Sequence, residues 1–223
     1  MKTSIITPVW NRADLTFNFL NQHLRPMVGG RPEIVIIDNG STDTTTSVLA
    51  AFTKKLDLKY IRNDKNVGFG RANNQGAKLA TGDILIFLNN DVIISGDYIT
   101  PIGKHLEQTA RSITGAELLA FDTGWNVFDG KVIPYITGWC LAMTRAAFEE
   151  LGGFDERYIP GDYEDIDICY AATQAGYSLQ PLQLPLYHLS GQTARQLPDR
   201  RAMTEKHRRL FVEKWGFNGH QPN

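Results

Sequence analysis

Ile84-Leu85-Ile86-Phe87-Leu88 is an apolar run without a polar interruption. A strand that apolar on both faces belongs in a sheet covered on both sides, the environment of parallel strands in α/β proteins. The run passes straight into Asn89-Asn90-Asp91. In open α/β sheets, ligands bind at the C-terminal ends of the strands. A carboxylate beside two amides at that position reads in two ways. It is a polar turn, because Asn and Asp are common turn residues, or it is one hard oxygen donor suited to a divalent cation carrying a phosphate-containing ligand.

The rest of the first half repeats the alternation. Residues 4–9 and 33–37 are further apolar runs, and 58–61 is a shorter one. Between them, residues 12–24 place Leu15, Phe19, Leu20 and Leu24 on one helical face. A second helix runs to about Lys55 and a third covers residues 68–80, rich in small side chains. Strands separated by helices predict βαβ units and a parallel sheet, and right-handed crossovers put the strand ends on one edge. After about residue 110 the segments 115–121, 130–133 and 138–143 are shorter and interrupted by glycine. They predict a mixed, partly antiparallel extension. Helices are expected near 145–151, over 164–176 with Ile168, Ala171, Ala172 and Ala175 on one face, and over 201–215 with Met203, Leu210, Phe211 and Trp215 inward. No repeat or linker divides the 223 residues, so one domain is expected.

Composition narrows the partners. A net charge of −1 gives no reason to expect nucleic acid. Cys140 and Cys169 lack a CxxC spacing, so no disulfide framework or zinc site is expected and a reduced, cytoplasmic compartment is the default. The start runs almost at once into Ser4-Ile5-Ile6, so no signal peptide is expected. No apolar stretch reaches the length of a membrane span. The stretch holding Arg195, Arg200, Arg201, Lys206, Arg208, Arg209 and Lys214 reads as a solvated helix face or as a surface for peripheral contact with anionic lipid.

Several constellations could carry chemistry. Pro8, Val9, Trp10 and Arg12 lie in the strand-to-helix turn after the first strand. Asp38 ends the second strand, where a carboxylate accepts from a ribose hydroxyl or base N–H, or else serves as a helix cap. Asn66-Val67-Gly68-Phe69-Gly70-Arg71 precedes a helix but matches neither GxGxxG nor GxxxxGK[ST]. A helix N-terminus with Arg71 favours phosphate; Arg71 reads equally as a surface residue. Asp162, Glu164, Asp165 and Asp167 crowd the start of a helix, whose dipole would hold carboxylates ionised, as a general base requires. Asp167 reads also as a cap. His188 is either structural or a further ligand to a metal held by Asp91.

Taken together, these motifs resemble an inverting, nucleotide-sugar-dependent glycosyltransferase of family 2 with a GT-A fold. The carriers are residues 4–12, 35–43 and 66–69, Leu88-Asn89-Asn90-Asp91-Val92, Gly152-Gly153-Phe154-Asp155, Tyr163-Glu164-Asp165-Ile166-Asp167 and Lys214-Trp215-Gly216. The resemblance implies a mainly parallel central sheet flanked by helices. A Rossmann-like nucleotide-sugar half would cover about residues 1–110, and a smaller mixed acceptor half 111–223. It implies donor binding by Pro8, Val9, Trp10, Arg12, Asp38, Asn66, Gly68, Arg71, Asn89 and Asn90. It implies Mn²⁺ or Mg²⁺ on Asp91 and His188, and Asp165 as general base. It places Gly138, Trp139, Asp162 and Glu164 at the acceptor. Asn89 stands where the family's DxD motif has its first Asp, which removes one charge from the metal site. The implied donor is UDP-, dTDP- or GDP-linked, and the acceptor a glycan or lipid-linked saccharide. A sugar-phosphate nucleotidyltransferase is a rival, but residues 8–12 lack the glycines of a triphosphate loop. A non-catalytic nucleotide-sugar or glycan-binding module is another, and the Glu164-Asp165 pair speaks against it.

Overall fold

The structure is a computed structural model that describes residues 1–25, 28, 30–122, 124–189 and 199–217. Its centre is a seven-stranded sheet. The first strands are β1 (Thr3–Val9), β2 (Glu33–Asp38), β3 (Leu58–Arg62) and β4 (Ile84–Leu88). They are mutually parallel, with β1 between β4 and β2, and β3 outside β2. Helices α1 (Ala13–Gln22), α2 (Thr45–Phe52) and α3 (Phe69–Leu79) make the crossovers. The sheet continues past β4 through β11 (Cys140–Thr144), β6 (Ser112–Gly115) and β12 (Ser178–Pro181). Strand β11 is antiparallel to both β4 and β6, as the glycine-interrupted second half predicted.

Period-two alternation explains why the strands read as uniformly apolar. Ile5, Ile34, Ile36, Ile84, Ile86 and Leu88 pack toward α1, α2 and α4 (Ile99–Gln108). Ile6, Val35, Ile37, Leu85 and Phe87 pack toward the opposite layer, which includes α3, α5 (Arg145–Glu150), α6 (Glu164–Gln174) and α7 (Arg200–Trp215). Each fully buried Ile or Leu contributes about 1.5–3 kcal/mol. Helix α4 was absent from the sequence expectation because Pro101 interrupts its pattern; at the third helical position proline displaces no internal hydrogen bond.

The expected faces hold at Leu15, Phe19 and Leu20 of α1 and at Leu210, Phe211 and Trp215 of α7, with further residues joining them, while the face of α6 differs. On α6 the buried set is Glu164, Ile166, Asp167, Ile168, Cys169 and Ala172, whereas Ala175 is exposed. On α7 the buried stripe is Thr204, His207 and Phe211. It includes polar residues because His207 Nε2 meets the Ile159 carbonyl at 3.1 Å. On α1 Thr16 joins the buried face, and Leu24 lies beyond the helix end.

The parallel strands bring residues 8–12, 38–41 and 89–91 to one edge. Because β11 runs antiparallel to β4 and Cys140 pairs with Leu88, the residues preceding β11 reach the same edge. The Asn89 N–H donates to the Trp139 carbonyl at 2.9 Å. A short antiparallel ladder between β5 (Val92–Ile94) and β13 (Leu186–His188) pairs His188 with Val92 and carries His188 there too. No helix among the described residues is long and apolar enough to cross a membrane.

Candidate active site

A cleft of about 580 Å³ opens at this edge. Pro8, Val9, Trp10, Asn66, Asn89, Asn90 and Asp91 line it from the first half, and Gly138, Trp139, Asp162, Glu164, Asp165 and His188 from the second. Most of the candidates from distant parts of the sequence are therefore brought together.

The His188 imidazole Nε2 lies within hydrogen-bond distance of Asp91 Oδ1, at 3.1 Å. The imidazole lies flat on the Trp139 ring, with centroids 4.9 Å apart and planes 9° apart. The indole N–H of Trp139 is in turn anchored on Glu117 at 3.1 Å. Stacking and hydrogen bonding thus fix one oxygen and one nitrogen donor side by side, chemistry that suits Mn²⁺ or Mg²⁺. No group of three or more His, Cys, Asp or Glu among the described residues could hold an ion. Two protein ligands fit a cation that takes its other ligands from a diphosphate and water.

Asp165 sits across the cleft in the first turn of α6. Its carboxylate accepts from the Gly138 N–H and the Ile166 N–H, both at 2.9 Å. Burial raises its pKa to about 6 against those two bonds, which favour the anion. The helix dipole is expected to hold the first-turn carboxylates ionised; at Asp165 desolvation works against it. Glu164 is raised well above the usual carboxylate range by burial and by the Asp165 charge, and its Oε2 is buried without a partner. Burial and mutual repulsion thus act against both carboxyl groups being anionic together. Asp162 ion-pairs with Arg200 at 3.2 Å and accepts from Thr204 Oγ1 at 3.1 Å.

Four expected donor-site residues do not line the cleft. Asp38 is completely buried. Its carboxylate accepts from the Ser41 N–H at 2.9 Å, from Thr46 Oγ1 at 3.3 Å and from Arg62 Nε at 3.2 Å. These bonds pin the 38–41 turn and Arg62, while no side chain caps α2, so the geometry shows an internal anchor and not a helix cap; the neighbouring Asn39 lines the cleft instead. Arg71 is exposed and faces Glu156 at 3.7 Å, away from the cleft. Arg12, the residue before α1, pairs with Asp14 at 2.8 Å. Gly68 enters α3 at φ +90°, and a Cβ there would come within 3.3 Å of Ile159 Cγ1, so backbone geometry and packing require it. Asp167 belongs to neither a cap nor the cleft. It accepts from Lys214 Nζ at 2.6 Å, from the Trp215 indole at 2.8 Å and from the Tyr158 hydroxyl at 3.2 Å, docking α7.

Sequence reasoning missed Asn39, Phe69, Thr137, Pro160, Gly161 and Arg200 as lining residues. Asn39, Thr137 and Gly161 each adjoin a candidate, which was the available signal; Arg200 offered none beyond its charge. Of the basic C-terminal residues, Arg200, Arg209 and Lys214 are ion-paired and Arg208 bonds the Val127 carbonyl. These engagements reduce the free charge a lipid surface would meet. Arg195 lies outside the described residues.

The profile of the group described as Glycosyl transferase family 2 matches residues 4–130, more than half of the chain. The chain belongs to glycosyl transferase family 2. This family member is 33% identical over 214 residues to the validoxylamine A glucosyltransferase of Streptomyces hygroscopicus subsp. jinggangensis, covering 75% of this chain and 50% of that protein. It is 26% identical over 189 residues to the O-antigen biosynthesis protein RfbC of Myxococcus xanthus, covering 70% and 15%. The chain thus spans half or less of the length of these curated relatives. The mannosyltransferase PcManGT of Pyrobaculum calidifontis, solved with GDP-Man and Mn²⁺, superposes with a TM-score of 0.69 at 20% identity, covering 99% of this chain and 66% of that one. Glucosyl-3-phosphoglycerate synthase of Mycobacterium tuberculosis, solved with phosphoglyceric acid, gives 0.70 at 17% identity, covering 97% and 81%. At those identities the likeness shows the fold, which is the expected GT-A arrangement.

Proposed function

We propose that the chain is an inverting glycosyltransferase that moves a sugar from a nucleoside-diphosphate sugar to a hydroxyl of a saccharide or lipid-linked acceptor. The observation that carries the reading is the placement of Asp165, held by the Gly138 and Ile166 N–H groups, in one cleft with the Asp91–His188 pair. The first supplies a base and the second a seat for a cation. The relatives support the chemistry: one is named as a glucosyltransferase, and one structural neighbour holds GDP-Man and Mn²⁺.

In this reading residues 1–110 are the donor half and 111–223 the acceptor half of a single domain. Pro8, Val9, Trp10, Asn39 and Asn66 form the nucleotide side of the cleft. A divalent cation, when bound by Asp91 and His188, supplies positive charge against the leaving diphosphate. Asp165 takes the proton of the attacking hydroxyl as its oxygen bonds to the anomeric carbon. The bond from that carbon to the diphosphate breaks on the opposite face, so one displacement inverts the configuration. A base with a pKa near 6 is mostly ionised at neutral pH and still basic enough to accept the proton. Burial and the Asp165 charge both disfavour a second anion at Glu164 beside it.

The test is to incubate the protein with UDP-, dTDP- and GDP-linked sugars, Mn²⁺ and a panel of saccharide acceptors, and to follow nucleoside diphosphate release and glycoside formation. Product of inverted anomeric configuration is expected with one donor. Retained configuration, or binding of every donor without turnover, would overturn the reading.

A further inference from the structure

A second cavity, about 360 Å³, opens on the far side of Asp165 and shares with the cleft Asp162, Glu164, Asp165 and Arg200. Its other walls are apolar or aromatic: Leu119, Trp125, Tyr135 and Tyr163. Trp125 is 43% exposed and presents its indole at this wall.

The backbone that carries Trp125 is braced. Its carbonyl accepts from the Tyr163 hydroxyl at 2.7 Å, and Tyr163, buried at φ +82°, immediately precedes Glu164 and Asp165. The next residue, Asn126, is buried. It closes the hairpin of β8 (Val127–Phe128) and β9 (Lys131–Val132) by exchanging bonds with Ile133, one of 2.7 Å from the Ile133 N–H and one of 2.9 Å from its own amide. Arg208 of α7 holds the hairpin from outside, donating to the Val127 carbonyl at 2.9 Å and lying 5.0 Å over the Phe128 ring. An exposed indole whose backbone is tied to Tyr163 and to the foot of this hairpin, lining the same cavity as Asp165, offers a flat apolar platform.

The charges around the cavity decide what it accepts. Arg200 and Asp162 pair and offset each other. The remaining acidic groups on the wall are the Glu164 and Asp165 carboxyls, with no further cation among the lining residues to offset them, so the wall disfavours anions and bonds to hydroxyls.

We propose that this cavity seats an uncharged saccharide ring stacked on Trp125, with one hydroxyl presented to Asp165. This inference rests on the glycosyltransferase reading and adds the chemical class of the acceptor and the residue that holds it. Trp125 is a binding residue here, and a flat apolar face matches the C–H face of a pyranose while the polar wall takes its hydroxyls.

The chain's own tryptophans report on it separately. There are four: Trp10 and Trp139 line the first cleft, Trp125 lines the second cavity, and Trp215 is held by Asp167. Protein labelled with 5-fluorotryptophan is titrated by ¹⁹F NMR, first with UDP, dTDP and GDP plus Mg²⁺, then with cellobiose, maltose and methyl mannoside, and finally with glucuronate and glucose 6-phosphate. The Trp125→Phe variant assigns the resonance. The nucleotide is expected to move Trp10 or Trp139, and a neutral saccharide to move Trp125 alone. Trp125→Ala should weaken saccharide binding by roughly tenfold, and Trp125→Phe should recover part of that loss. If no nucleotide moves Trp10 or Trp139, the glycosyltransferase reading falls. If a nucleotide does, but no neutral saccharide moves Trp125 or the anionic sugars move it equally, this inference alone is overturned. An unchanged circular dichroism spectrum of Trp125→Ala establishes that its binding loss is not unfolding; saccharide affinity equal to wild type in that folded variant also overturns the inference.

Discussion

The imidazole Nε2 of His188 lies 3.1 Å from Oδ1 of Asp91 although 97 residues separate them in the chain. The β5–β13 ladder sets that distance, and the Trp139 ring holds the imidazole in plane. If the pair seats a divalent cation, removing either ligand weakens the cation and with it the nucleotide. Asp91→Ala and His188→Ala should each lower Mn²⁺-dependent nucleotide binding by roughly 10–100-fold while leaving metal-free binding unchanged. Calorimetric titration with and without Mn²⁺ checks this, and equal affinities in wild type and both variants would remove the metal assignment.

If Asp165 is the base, as proposed, it ties activity to pH. Its folded value of about 6 lies above the ordinary 3.8, raised chiefly by burial. The ionised base predominates above pH 6, so turnover should rise through that value and level off near pH 7. The sign for stability is opposite: the folded state binds the proton more tightly, so stability falls as pH rises from 3.8 through 6. Asp165→Asn should therefore abolish transfer, keep nucleotide binding, and melt a few degrees higher than wild type at pH 7.5 but not at pH 4. Scanning calorimetry at the two pH values, with a transfer assay, provides the check.

Gly138 holds the Asp165 carboxylate, the proposed base, through its N–H. A Cβ at residue 138 would stand 3.3 Å from Asp165 Oδ2, the atom that accepts the Gly138 N–H. Gly138→Ala should displace the carboxylate by a few tenths of an ångström and lower kcat by roughly tenfold. Nucleotide affinity and melting temperature should change little. A loss expressed in nucleotide affinity alone would show that the contact serves binding.

At the opposite end of the sheet, Glu33 is a purely structural anion. Lys59 Nζ lies 2.6 Å away, and Ser4 and Thr81 also donate to it. Burial would raise its pKa, but these partners outweigh it and hold the group at about 2. That stabilisation is present above pH 4.5 and lost as pH falls toward 2. Glu33→Ala strands the Ser4 and Thr81 donors, while the partly exposed Lys59 returns to solvent, and should cost about 1–3 kcal/mol with no specific effect on nucleotide binding by the remaining folded protein. Urea unfolding of the variant measures it.

Much of the architecture was legible in local pattern. Ile84–Leu88 and Glu33–Ile37 announce buried parallel strands because apolarity on both faces has no other stable setting in a globular α/β chain. Asn89-Asn90-Asp91 could be placed at a ligand edge for the same reason. Side-chain direction was less legible. Asp38 and Asn39 are adjacent at a strand end, and the one with the charge turned inward to Ser41 and Arg62 while the amide faces the cleft. Arg71 follows a glycine-rich turn yet leans on Glu156, whereas Arg200 reaches the cleft from the last helix.

By itself the sequence determined the strand and helix alternation, the apolar layers and the residue types available at the sheet's edge, because burial and backbone preference are written at short range. Only the tertiary structure decided which of those residues meet. The reversed direction of β11 puts the Gly138 N–H against Asp165, the β5–β13 register sets His188 on Asp91, and the Tyr163 hydroxyl fixes the Trp125 backbone beside the base. Each contact depends on sheet order and register between segments far apart in the chain, which no local periodicity encodes.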